Sequence, residues 1–268
     1  MNRKTAIAIA AHPDDIEFLM AGTLLLLKKA GFETHYLNIA GGNCGSAEYN
    51  GSTIRSIRNT EARAAAKILG AEFHSSLTDD LEILYNLELL RGLAGILREI
   101  KPTIVLTHCL EDYMEDHTNA CRLAVTAAFA RGMPNFRTAP TRAPVNSEVT
   151  VYHSMPNGLR DPLRRRIIPG GFVNTTGVHK IKRDALAAHK SQQSWLDKSQ
   201  GLNCYLLTME DMSLELGRMS KRFKLAEGWR RHLHLGFCRR EADPLREALG
   251  RNYLVNKAYE EQLERPWN

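Results

Sequence analysis

Cysteine is scarce and badly placed for cross-linking: five in 268 residues, an odd number, with no Cys-x-x-Cys pair. That argues against a disulfide framework and against a thiolate zinc site. Cys44, Cys109, Cys121, Cys204 and Cys238 read instead as small buried or half-buried residues in a reducing compartment. No apolar run is long enough to cross a bilayer. The opening MNRKTAIAIAAHPDD has a basic start and an apolar stretch, but the stretch is short and runs into charge without a small-residue cleavage site. It does not read as a secretory leader, and the expected location is the cytoplasm. Internal repeats and low-complexity segments are also missing. Aromatic residues make up 7% of the chain and do not interleave with the basic residues that crowd its last part, from Arg218 to Arg251. The net charge of +6 therefore points to a solvated or subunit-contact surface, and no nucleic-acid partner is expected.

What is present is a regular alternation. TAIAIAA (5–11), THYLNIA (34–40), TIVLTH (103–108) and EVTVYHS (148–154) read as strands, and FVNTTG as a late one. Helical periodicity covers 18–31, 52–70, 87–101 and 116–132, with Gly31, Gly70 and Pro102 as stop signals, and a further helix runs from Val178 to Leu196. This βαβα order predicts an α/β fold, a mostly parallel sheet with helices on both faces. In such sheets ligands bind beyond the carboxyl ends of the strands. His12-Pro13-Asp14-Asp15, Gly41–Ser46, the 108–117 stretch and His153 all fall at such ends. The segments 133–147 and 155–171 read as loops over that edge, the second with Arg160, Arg164, Arg165 and Arg166 as candidates for an anionic substituent or for plain solvated surface.

The His12–Asp15 spacing lets one turn offer an imidazole and a carboxylate to a divalent first-row metal. A third ligand must come from elsewhere, and His117 in EDYMEDH is the natural candidate. Asp14 then lies beside the metal as an acceptor for a water proton. The competing reading is that the aspartates merely cap the next helix, which leaves His12 and one carboxylate without a role.

These residues resemble a known family. AHPDDIEF followed by MAGTLLLLKKAG is similar to the opening motif of the LmbE-like, PIG-L-type zinc-dependent de-N-acetylases. IRNTEARAAAKILGAEF, TIVLTHCLEDYMEDHTNA and DALAAHKSQ resemble later family motifs, in the family's order, so that the resemblance covers about residues 5–192. It implies a Rossmann-like fold in a single domain over 1–268, with a basic C-terminal extension from about 193. It implies one zinc ion per chain on His12, Asp15 and His117, although iron(II), cobalt or manganese would suit the same donors. Asp14 would be the general base and Asp116 a residue that orients the site. Arg58 is a candidate for holding substrate hydroxyls or phosphate, with an ion pair to Glu61 as the alternative. Late in the chain, His189 fits the family pattern or else serves a helix–loop contact. Met114-Glu115-Asp116-His117 departs from the family's His-Pro-Asp-His, whose first histidine is proposed to stabilise the oxyanion. His153 is the first candidate to replace it, with His108 and Tyr113 behind. The implied activity removes an N-acetyl group from an N-acetylglucosamine-like sugar or glycoconjugate. The alternative is a non-catalytic glycoconjugate-binding protein. Self-association into a homo-oligomer is a further expectation.

Overall fold

A computed structural model describes residues 4–200 and 205–264, so Cys204 lies outside the described residues. The first half is built from β1 (Thr5–Ala10), α1 (Asp15–Leu19), α2 (Ala21–Lys29), β2 (Glu33–Asn38), α3 (Gly51–Leu69), β3 (Glu72–His74), α4 (Leu87–Ile100), β4 (Ile104–Thr107) and α5 (Glu115–Ala130). The second half adds β5 (Thr150–Ser154), β6 (Gly171–Asn174), α6 (His179–Leu186), α7 (Lys190–Gln200), α8 (Tyr205–Ser220), β7 (Ala226–Arg231), α9 (Pro244–Leu249), β8 (Tyr253–Val255) and α10 (Lys257–Leu263). The eight strands form one sheet in the order β3-β2-β1-β4-β5-β7-β6-β8.

Every pairing among β1 to β5 is parallel, and every pairing made by β6, β7 and β8 is antiparallel. The α/β expectation therefore holds for a mostly parallel sheet with helices on both faces. In β1 the period-2 alternation sends Ala6, Ala8 and Ala10 towards α2 and α3, and Ile7 and Ile9 towards α4 and α5. Small alanines on one face let α2 approach closely, and its Leu24 and Leu27 are fully buried there.

The stretch read as one helix over 18–31 is broken at Met20, which leaves the helical region (φ −133°). The restarted helix exposes the N–H groups of Gly22 and Thr23, which no helical carbonyl can satisfy. Glu227 of β7 accepts both, at 2.8 and 2.7 Å, and also pairs with Lys182 at 2.7 Å. The helix expected from Val178 likewise splits, because the chain turns at Ala187–His189 to bury His189.

Sequence periodicity missed β3, which is only three residues long, and β7, whose AEGWRR carries three charges and a glycine. The basic C-terminal region supplies β7 to the middle of the sheet's second half and β8 to its edge. Several of its arginines work within the fold: Arg231 donates to the Ala242 carbonyl and Arg230 to that of Ile168. Among the described residues no helix is long and apolar enough to cross a membrane.

Candidate active site

From β1 the chain leaves towards β2 on one side, while β4 lies on the other side of β1. A crevice opens at this switch point, beyond the carboxyl ends of β1 and β4. The turn after β1 carries His12 to Asp15, and the loop after β4 carries His108 to His117, the last at the start of α5. The structure thus brings His12, Asp15 and His117 together, with one ligand atom from each within 4.8 Å of the others. Asp15 is the hub: one oxygen lies 3.4 Å from His12 Nδ1 and the other 3.4 Å from His117 Nε2. A tetrahedral ion with bonds of about 2.1 Å needs ligand separations of about 3.4 Å, so the set fits a zinc-like ion.

Each histidine is aimed from behind by a carboxylate. Asp116 Oδ2 lies 2.9 Å from His12 Nε2 and also accepts from the Leu81 N–H at 2.8 Å. Asp112 Oδ1 lies 2.9 Å from His117 Nδ1. Such partners fix ring orientation and raise ligand basicity. The electrostatics agree with a site built for a cation. Burial works to lower the His12 pKa, but hydrogen bonds to Asp116 and Asp15 outweigh it and push the value up to about 10. Burial likewise opposes His117, and Asp15 with Asp112 raises it nevertheless. For Asp15, burial raises and the neighbouring His117 and His108 win, holding the carboxyl well below its usual range. Both shifts favour positive charge where a divalent ion would sit, and an ion bound by neutral imidazoles would displace any proton held there.

Asp14 points the other way. Its φ of 105° is rare for a residue with a Cβ, a strain of order 1–3 kcal/mol that recurs at functional sites. The twist lets adjacent carboxylates face different partners. Tyr205, the first residue of α8, donates to Asp14 Oδ2 at 2.7 Å, and Arg58 Nη2 stands 3.8 Å from Oδ1. Burial pushes the Asp14 pKa up to about 6, against the pull of Arg58. Arg58 is buried and donates to the Pro13 carbonyl at 2.6 Å. Its side chain thus braces the turn that carries both aspartates while also lining the cleft. The alternative Glu61 pair does not form: Glu61 accepts from the N–H and hydroxyl of Ser191.

The cleft above these groups has a volume of about 380 Å³. Tyr113, Asn157, Gln192, Trp195 and Tyr205 contribute its polar and aromatic wall, and Met114 lines it too. His153 is not brought into it. It lies beneath His108, with Nδ1 3.0 Å from the His108 carbonyl and Nε2 2.9 Å from His232 Nδ1. His108 is also committed, its Nε2 accepting the Ala11 N–H at 2.9 Å. His189 sits under the site, 3.4 Å from the buried Glu17 carboxylate. The arginines of the 160–166 loop lie outside the cleft: Arg166 pairs with Glu215, and Arg165 with Asp161.

Burial pushes the His153 pKa from 6.5 down to about 4. The folded state therefore resists a proton that the unfolded chain takes up. The resulting stability is complete above pH 6.5 and is lost as pH falls from 6.5 towards 4. In His153→Gln, urea unfolding should lose about 2 kcal/mol less than wild type between pH 7 and 5. Parallel acid limbs in the two proteins would show that folded His153 does titrate normally.

Sequence reasoning missed Asp112, Asp80 and Tyr205. Asp112 stood inside the quoted EDYMEDH neighbourhood and becomes legible once His117 is taken as a ligand. Asp80 accepts from the N–H groups of Gly42 and Cys44 at 2.7 and 3.0 Å and so shapes the glycine-rich loop after β2. Tyr205 gave no signal.

Comparison with known proteins agrees with this geometry. Residues 7–129 match the family model described as GlcNAc-PI de-N-acetylase, PIG-L. The diacetylchitobiose deacetylase of Thermococcus kodakarensis is 27% identical over 199 residues, 70% of each chain. Among solved structures, the 4-carboxy-2-hydroxymuconate hydratase of Pseudomonas putida superposes with a TM-score of 0.73 at 23% identity, covering 90% of this chain and 99% of that one. The N,N'-diacetylchitobiose deacetylase of Pyrococcus horikoshii gives 0.71 at 23% identity, covering 87% and 85%. The matched segment, residues 7–129, is similar to the PIG-L-type family and holds the His12–Asp15 turn, the Arg58 helix and the Asp116-His117 pair in one crevice.

Proposed function

We propose that this protein is a zinc-dependent hydrolase that removes the acetyl group from an N-acetylglucosamine-like sugar, releasing acetate and a free amine. The observation that carries the reading is Asp14, a strained, buried carboxylate set beside the His12, Asp15 and His117 donors at the floor of an open cleft. A pure binding protein has no use for that residue, which counts against the glycoconjugate-binding alternative. An ion on the three donors would acidify a water and polarise the amide carbonyl.

Asp14 accepts the proton from the attacking water and returns it to the amine nitrogen as the carbon–nitrogen bond breaks. Tyr205 and Arg58 hold its two oxygens in place for both transfers. Asp116 and Asp112 keep the imidazoles of His12 and His117 aimed. Met114 cannot donate a hydrogen bond to the developing oxyanion. The Tyr113 hydroxyl is the donor we assign in its place: Tyr113 lines the cleft, its ring packs edge-on against His117, and a phenol is protonated at neutral pH. Trp195 offers an aromatic face of the kind that sugar rings stack on.

The test is amine release from N,N'-diacetylchitobiose and N-acetylglucosamine by zinc-loaded protein, with 4-carboxy-2-hydroxymuconate as the competing substrate. Amine release with about one catalytic zinc per chain is expected. Hydration of the muconate without amine release would move the site to the chemistry of the hydratase that shares the fold.

A further inference from the structure

A second set of metal-ligand side chains lies away from the cleft, at the open edge of the sheet. His35 is on β2, and Glu72 and His74 are on the edge strand β3. The register pairs His35 with Glu72 and Leu37 with His74, so all three project from the same face, the one covered by α4. We propose that His35, His74 and Glu72 form a second divalent-metal site, for zinc or a similar first-row ion, which ties β3 to β2.

The donor atoms are already gathered. His35 Nδ1 is 2.9 Å from His74 Nε2 and 3.7 Å from Glu72 Oε2, and all three atoms lie within 4.8 Å of one another. These separations bracket the roughly 3.4 Å that bonds of about 2.1 Å to a tetrahedral ion require. Two imidazoles and a carboxylate are a donor set that zinc accepts, with a further position left for water.

A second feature points the same way. Glu33 Oε1 lies 4.0 Å from His35 Nε2, on the ring nitrogen that faces away from the cluster. At that distance it makes no hydrogen bond to the ring, but its charge favours a cation at this edge. The environment also suits a neutral ligand: burial lowers the pKa of His74, against the pull of Glu72 and Glu99. Its place in the fold gives the ion a task. A strand of three residues at a sheet edge has few ladder hydrogen bonds, and an ion shared with β2 would anchor it. Glu72 is exposed, so the ion has a path from solvent.

The experiment uses full-length protein stripped of metal and titrated with zinc by calorimetry against a competing chelator. His117→Ala removes a donor from the catalytic set, so any site it retains lies elsewhere. We expect His117→Ala to bind one zinc with a rise in Tm, and His117→Ala/His74→Asn to lose both. In the otherwise wild-type protein, His74→Asn should lose one equivalent of zinc while keeping its amide hydrolysis. Glu72→Gln alters an exposed side chain that the fold does not need, and it should weaken this site about tenfold. Circular dichroism of each variant confirms that it is folded. If His117→Ala binds no zinc, or binds it equally with and without His74, the cluster is a histidine–histidine hydrogen bond beside two carboxylates and the proposal fails.

Discussion

Asp14→Asn is expected to lower kcat about a thousandfold, the middle of the range for a positioned general base, while zinc content stays unchanged. The substitution isolates the proton-transfer role unusually well at this position. Asparagine tolerates a positive φ better than almost any other residue with a side chain, so the 105° bend survives. Its carbonyl oxygen can still accept from the Tyr205 hydroxyl, which now donates at 2.7 Å. The capacity to take a proton from water is what disappears. Parallel measurements of kcat and bound zinc separate the outcomes. Loss of zinc together with activity would make Asp14 a ligand rather than a base. Activity within tenfold of wild type would place the base elsewhere in the cleft.

Glu227→Ala should lower the unfolding free energy by about 3–5 kcal/mol, as breaking a buried ion pair on one side does. Glu227 is buried and accepts from four donors: the N–H of Gly22, the N–H and hydroxyl of Thr23, and Lys182 Nζ. Removing it strands a buried ammonium and leaves the first turn of α2 uncapped. Urea denaturation of the variant measures the loss. Lys182→Met combined with Glu227→Gln tests the cause: glutamine's one oxygen still accepts a helix N–H while its NH2 faces another donor, methionine needs no partner, and part of the stability should return. A double variant as weak as Glu227→Ala would mean that the carboxylate's charge on the helix terminus, not the stranded lysine, dominates.

The first half of the fold is legible because its strands are apolar runs and its helices end next to Gly31, Gly70 and Pro102. The ends of those strands put His12, Asp15 and His117 on one edge of the sheet. The second half resisted for physical reasons. In β7 burial is set by partners, not composition: Glu227 is buried through its ion pair, and at Gly228 Met155, Pro169 and Leu216 fill the space a side chain would need. Tyr205 meets Asp14 across 191 residues of chain, and no local pattern encodes such a contact. His153 does lie at the end of β5, but the alternation along the strand turns its ring beneath the crevice, onto His108 and His232.

The strand order β5-β7-β6 has a consequence for how the protein is made. Synthesis delivers β6 well before β7, yet β6 reaches the sheet only through β7, which must slot in between it and β5. While the ribosome is still translating α8, the growing chain can close its parallel half, but β5 keeps a bare edge and α2 an unsatisfied start. Tyr205 arrives in the same late stretch as Glu227. The nascent protein therefore gains its β5–β7–β6 pairing and the Tyr205 brace on Asp14 together, near the end of translation. Until then it depends on whatever shields an open strand edge in the cell.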